Sequence, residues 1–163
     1  MPTSILVIDD DPDVCDLLVI KLGRAGYQVT AAHTADRGLR LARRLRPALL
    51  LLDWALPGRS GLELAGQLRD DPATAAIPVV MLSAHAGPDH RQRAHAAGIV
   101  HYVVKPFSPR ALAELIAGLV EQPATAQVTA EPAGALRADG LAWLAQPRHR
   151  PAQPATTPAS AAQ

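Results

Sequence analysis

The sequence predicts an α/β fold in which a parallel sheet of five strands carries helices on both faces. Over the first 121 residues, short apolar runs alternate with longer stretches of helical period. Those runs are continuous rather than alternating, as expected of strands buried on both faces. Several of the longer stretches open with a cap residue and a proline, the signal of a helix start.

Ile5-Leu6-Val7-Ile8 is the first strand, and Asp11 followed by Pro12 starts the helix after it. Val14, Leu17, Leu18 and Leu22 lie on one stripe of that helix, which Gly23 and Gly26 end. Tyr27 to Ala31 reads as the second strand and Ala35 to Arg44 as an arginine-rich second helix, stopped by Pro47. Ala48 to Leu52 forms a third run that ends at Asp53. After the turn Leu56-Pro57-Gly58, Ser60 and Glu63 have capping-box spacing ahead of a third helix. Pro78 to Leu82 is the fourth strand, ending at Ser83, and Gly87-Pro88 opens a helix that closes near Gly98. Ile99 to Val104 is the fifth strand, ending at Lys105, and Ser108-Pro109 opens a helix running to about Glu121.

Composition narrows the function. At 163 residues there is room for one domain and an appendage. Apolar residues make up 48% and aromatics 3%, so the core must be built from Leu, Val, Ile and Ala. Sixteen Lys and Arg against fifteen Asp and Glu leave a net charge of +1, and the main body carries no basic stripe suited to nucleic acid. The cluster Arg43, Arg44 and Arg46 reads as a solvated helix end. Cys15 is the only cysteine, which excludes an internal disulfide and a cysteine-based zinc site; it reads as an ordinary helix residue. The start Met1-Pro2-Thr3-Ser4 has no secretory pattern, so a cytoplasmic protein with no membrane contact is expected.

In open parallel sheets, ligands gather outside the carboxyl ends of the strands. That rule brings Asp9 and Asp10, Asp53, Ser83 and Lys105 to one rim. Each alone admits a plainer role as turn, cap or surface residue; together they form a chemically complete set. Clustered carboxylates repel, so such a site raises a pKa or recruits a cation. Oxygen ligands from a few side chains suit Mg²⁺, which keeps waters and accepts phosphate oxygens. A carboxylate can attack a phosphoryl group to form an acyl phosphate, and an ammonium group can neutralise charge on the transferring oxygens.

These residues carry a family resemblance. Ile5-Leu6-Val7-Ile8-Asp9-Asp10-Asp11, Leu51-Leu52-Asp53-Trp54-Ala55-Leu56-Pro57-Gly58 and Tyr102-Val103-Val104-Lys105-Pro106-Phe107, in this order, resemble the receiver domains of two-component response regulators. The resemblance spans residues 4 to 121 and is nearest to the single-domain, chemotaxis-regulator type. It implies a flavodoxin-like sheet of strand order 2-1-3-4-5, with a receiver domain over residues 1 to 121. It implies Asp53 as phosphoacceptor, with Lys105 and Ser83 contacting the phosphoryl group, and Ser83 with Tyr102 as a switch pair. Mg²⁺ would be held by Asp9, Asp10, Asp53 and the backbone carbonyl of Ala55, and the Lys105–Pro106 bond would be cis. The donor would be a sensor histidine kinase or phosphotransfer protein, and the output a downstream protein target. The chain itself would be a phosphoacceptor with self-catalysed uptake and loss, not an enzyme.

Some positions depart from the family pattern. Gly98-Ile99-Val100-His101-Tyr102 lacks the acids, and Leu115 replaces the basic residue, that pair across the dimer face of many DNA-binding members. A monomer or a weak phosphorylation-dependent dimer is therefore expected. Ala55 and His85 fall where the family lines the mouth of its site, and a small Ala55 leaves water access to an acyl phosphate. Residues 122 to 163 are rich in proline and alanine and are expected to stay disordered, without a full effector domain. Their one apolar island, Leu136 to Leu144 with Trp143, suits a short docking element, and Gly134 to Leu144 resembles the opening strand of a winged-helix effector, as a truncated remnant would. Two other readings compete. One is a phosphorylation-independent interaction module with a dormant site. The other is an aspartyl-phosphate hydrolase, which would want an acid where Ala55 stands.

Overall fold

The computed structural model describes residues 1–99 and 101–121; the expectations for the tail lie outside these residues. The element order is β1 (Ser4–Ile8), α1 (Pro12–Arg24), β2 (Gln28–Ala32), α2 (Ala35–Leu45), β3 (Leu49–Asp53), β4 (Ala55–Leu56), β5 (Arg59–Ser60), α3 (Gly61–Asp70), β6 (Val79–Ser83), α4 (Pro88–Ala96), β7 (His101–Val104) and α5 (Pro109–Val120). The five-stranded sheet runs β2-β1-β3-β6-β7, all parallel, which is the expected 2-1-3-4-5 order once the small β4–β5 hairpin is set aside.

Side chains of each strand alternate between two cores, which is why the runs had to be apolar throughout. Leu6, Ile8, Leu50, Leu52 and Met81 face the side covered by α2, α3 and α4. Ile5, Val7, Leu49, Leu51, Val80 and Leu82 face α1 and α5. The helix starts follow the capping signals. Asp11 accepts the amides of Asp13 and Val14, Ser60 and Glu63 form a reciprocal box, and Ser108 accepts from Ala111. Each places a loop, and with it a strand end, on the same rim.

Boundaries move where backbone pairing, not apolarity, decides. Strand β6 begins after Pro78, which has no N–H and contributes only its carbonyl to Leu50, at 3.0 Å. Strand β7 begins at His101 because Ile99 closes the end of α4, donating to the Ala94 carbonyl at 3.0 Å after Gly98 at φ +84°. The second helix ends one residue later than expected, at Leu45, with Arg46 in a left-handed conformation (φ +44°) before Pro47. No helix among the described residues is long and apolar enough to cross a membrane.

Candidate functional site

Strand ends assemble the site. Asp9 follows β1 directly and is fully buried, while Asp10 beside it is exposed. Asp53 is the last residue of β3 and is itself buried. One oxygen each from Asp9, Asp10 and Asp53 lies within 4.8 Å of the others. Lys105, just past β7, reaches across the sheet: its Nζ lies 2.7 Å from Asp9 Oδ2 and 3.1 Å from Asp53 Oδ1. Asp9 Oδ1 accepts the Asp11 amide at 3.0 Å, so both oxygens of this buried carboxylate are engaged. The Lys105–Pro106 bond is cis.

Electrostatics follow from this packing. Burial raises the pKa of Asp53 above the ordinary carboxylate value, the charge of Asp9 adds to the effect, and Lys105 offsets part of it. Burial also opposes the charge on Lys105, but its hydrogen bonds to Asp9 and Asp53 outweigh that and hold its pKa up. The ammonium group therefore stays charged, and the cluster holds more carboxylate charge than one lysine balances. The donor set is all oxygen, and Asp10 faces solvent, so the residues present fit a hard divalent cation such as Mg²⁺.

Of the remaining residues, Ser83 ends β6 at the same edge of the sheet, while Tyr102 lies within β7 and Ala55 begins β4. Ser83 is buried and accepts the His85 amide on Oγ at 3.1 Å. Tyr102, half-buried, donates its hydroxyl to the His85 carbonyl at 2.6 Å. Ala55 is exposed and is held by the β4–β5 hairpin, in which it faces Ser60. Pro57 and Gly58 (φ +73°) make the hairpin's turn, with proline and glycine where a type II turn takes them.

Several contributors were not legible beforehand. The hairpin brings Gly61 against Asp53, where the Gly61 amide donates to the Trp54 carbonyl at 2.7 Å and a Cβ would strike the Asp53 carbonyl oxygen. Only the Pro57-Gly58 dipeptide hinted at this. Cys15 sits beneath the site, its thiol donating to the Asp9 carbonyl at 3.4 Å, and a ring nitrogen of His33 lies 3.2 Å from the same oxygen. Cys15, a buried helix residue as expected, thus also touches the strand end that carries the acids. Trp54 packs on His90 with ring centroids 5.1 Å apart, and His90 stacks on His85 at 4.4 Å. This ties α4, which buries only Ala94, to the segments beside Asp53 and Ser83.

Comparison with known proteins points the same way. The family described as the response regulator receiver domain matches residues 5–117. The chain is 38% identical over 116 residues to the phosphate regulon transcriptional regulatory protein PhoB of Pseudomonas aeruginosa, covering 71% of this chain and 49% of that protein. It is 42% identical over 103 residues to the DNA-binding dual master transcriptional regulator RpaA of Synechocystis, covering 63% of this chain and 43% of the other. The chain thus spans about half the length of such curated relatives. Among solved structures, a CheY-like response regulator receiver domain protein from Methanospirillum hungatei superposes with a TM-score of 0.69 at 29% identity, covering 74% of this chain and 94% of the other. The chemotaxis response regulator CheY4 of Vibrio cholerae gives 0.69 at 25% identity, with coverages of 73% and 99%.

Proposed function

The chain belongs to the response-regulator receiver family, and from that premise we propose that Asp53 accepts a phosphoryl group from a phosphohistidine of a sensor kinase or phosphotransfer protein. The observation that carries this reading is the Lys105 ammonium bridging Asp9 and Asp53 beside the exposed Asp10. A nucleophilic carboxylate, a cation-binding pair of acids and a fixed positive charge meet at one open rim.

The Asp53 carboxylate oxygen bonds to phosphorus as the donor's P–N bond breaks, and the leaving imidazole nitrogen takes up a proton. Asp9, Asp10, Asp53 and the Ala55 carbonyl would hold Mg²⁺, which when bound neutralises negative charge on the phosphoryl oxygens. Lys105 shifts from Asp53 Oδ1 toward a phosphoryl oxygen while keeping its contact with Asp9. Ser83 swings its hydroxyl toward the phosphoryl group, drawing its Oγ away from the His85 amide and loosening the 84–87 segment. Tyr102 is bound to that segment through the same residue, so the two move together, and α4, anchored by little buried surface, follows.

Moving such a two-state surface from 1:99 to 99:1 takes about 5.5 kcal/mol of differential stabilisation. New charge-assisted contacts from Ser83 and Lys105 to a dianion, made in one state only, are of that order. The surface so changed, formed by α4, β7 and α5, signals to a protein target. The relatives' names describe transcriptional regulators, one of them DNA-binding; for the receiver unit, residues 1–121, output runs through protein contacts. Incubation with Mg²⁺ and acetyl phosphate, followed by intact-mass measurement, tests the reading. Gain of one phosphoryl group is expected, absent in Asp53→Asn. Equal uptake by that variant, or continuous phosphate release without an adduct, would overturn it.

A further inference from the structure

We propose that the outer flank of α2 and the open edge of β2 form a docking surface for an acidic polypeptide segment that adds to the sheet as an extra strand. Strand β2 ends the sheet and, among the described residues, pairs with β1 alone. Its outer side therefore presents backbone N–H and C=O groups to any extended chain that lies beside it.

The charged side chains that line a groove on α2 are all of one sign. Arg37, Arg40 and Arg44 are exposed and, with Leu41, line a groove of about 340 Å³. The acids near α2 are already engaged: Asp36 by Arg59 at 3.6 Å, and Asp71 by Arg43 at 2.6 Å. Among the described residues no carboxylate pairs with Arg37, Arg40 or Arg44. Their spacing covers about 10 Å of helix at 1.5 Å per residue, close to the screening length of about 8 Å at physiological salt. Their mutual repulsion is relieved when an anionic partner arrives.

The side of the helix decides the partner's shape. Arg43 points to the α3 flank, since Asp71 lies just past α3. At about 100° per residue, Arg37, Arg40 and Arg44 cluster roughly a quarter turn from Arg43, on the flank away from α3. Helix α2 packs on β1 and β2, so that flank overlooks the β2 edge. Alternate side chains of an added strand stand about 7 Å apart on one face. Two acidic side chains at alternate positions would thus meet the arginine row while the backbone pairs with β2. A nucleic acid or a lipid surface would use the arginines but leave the edge groups unanswered.

The test is fluorescence anisotropy of a labelled peptide of alternating Glu and Val, titrated with the full chain at low salt. Saturable binding is expected, weakened about tenfold by Arg40→Glu. It should also weaken for the same peptide with alternate backbone nitrogens methylated, which keeps its charge but cannot pair with the edge. The double variant Arg37→Gln/Arg44→Gln is a second probe, and thermal unfolding of each variant verifies its fold. Three results would each overturn the proposal: binding untouched by both sets of substitutions, equal binding of the methylated peptide, or capture of polyuridylate or anionic vesicles in place of the peptide.

Discussion

Replacing Lys105 by Met keeps the aliphatic stem and deletes the one cation that touches the acidic cluster among the described residues. The side chain of Asp9 is 0% exposed and that of Asp53 7%, so two carboxylates would be left together in a poorly solvated place. Removing one partner of a buried pair costs about 3–5 kcal/mol. Lys105 is itself 21% exposed, and Asp9 keeps the Asp11 amide, which puts the expected loss at the low end, about 3 kcal/mol. Urea unfolding at neutral pH with chelator measures it. The loss must shrink on acidification, for a definite reason. Burial already raises the pKa of Asp53 and Lys105 offsets part of that rise, so without the ammonium group the native state binds a proton there more readily than the unfolded chain and gains stability as pH falls. Saturating Mg²⁺ should narrow the gap too, because without the competing ammonium group the variant's acids bind the cation more tightly and so gain more from it. A loss under about 1 kcal/mol, or one that ignores both pH and Mg²⁺, would refute the claim that Lys105 balances these acids.

Three further outcomes follow from the same geometry. Gly61→Ala places a Cβ against the Asp53 carbonyl and should cost about 1–3 kcal/mol and slow phosphoryl uptake, whereas Gly66→Ala on the same helix, with open space around it, should do neither; equal behaviour in unfolding and uptake assays would contradict the close approach. Burial pushes the Cys15 thiol to about 11 from an ordinary 9.0, so its thiolate fraction falls on the order of 100-fold, and thiol reagents should label the native chain slowly and the urea-unfolded chain fully; rapid native labelling would count against it. Burial lowers the pKa of His101, so between that value and about 6.5 the unfolded chain binds the extra proton and stability drops as pH falls through the window. His101→Gln should flatten that part of the stability curve, and an unchanged slope would locate the effect elsewhere.

The fold was legible because burial on both sheet faces demands apolar residues at every strand position. Ile5–Ile8 and Leu49–Leu52 therefore announced themselves, and the polar residues ending such runs stood out as a site. Caps at Asp11, Ser60 and Ser108 were readable because each is a local bond between neighbours in sequence. What escaped depends on distant partners. No local signal says that Cys15 will bond the Asp9 carbonyl, or that Gly61 must meet Asp53 without a Cβ. The start of β7 was misplaced because buried, apolar Ile99 looks like strand, yet its amide closes α4. Helix α4 buries one alanine only, so its attachment through Trp54 and His90 was invisible to any periodicity.

The most direct test of the central claim is to locate the phosphoryl group chemically. After phosphorylation with acetyl phosphate and Mg²⁺, tritiated borohydride reduces an aspartyl phosphate to homoserine, which peptide mapping can place. Tritiated homoserine is expected at position 53 and nowhere else. Label at position 10, or a phosphorylated chain with no reducible acyl phosphate, would contradict it.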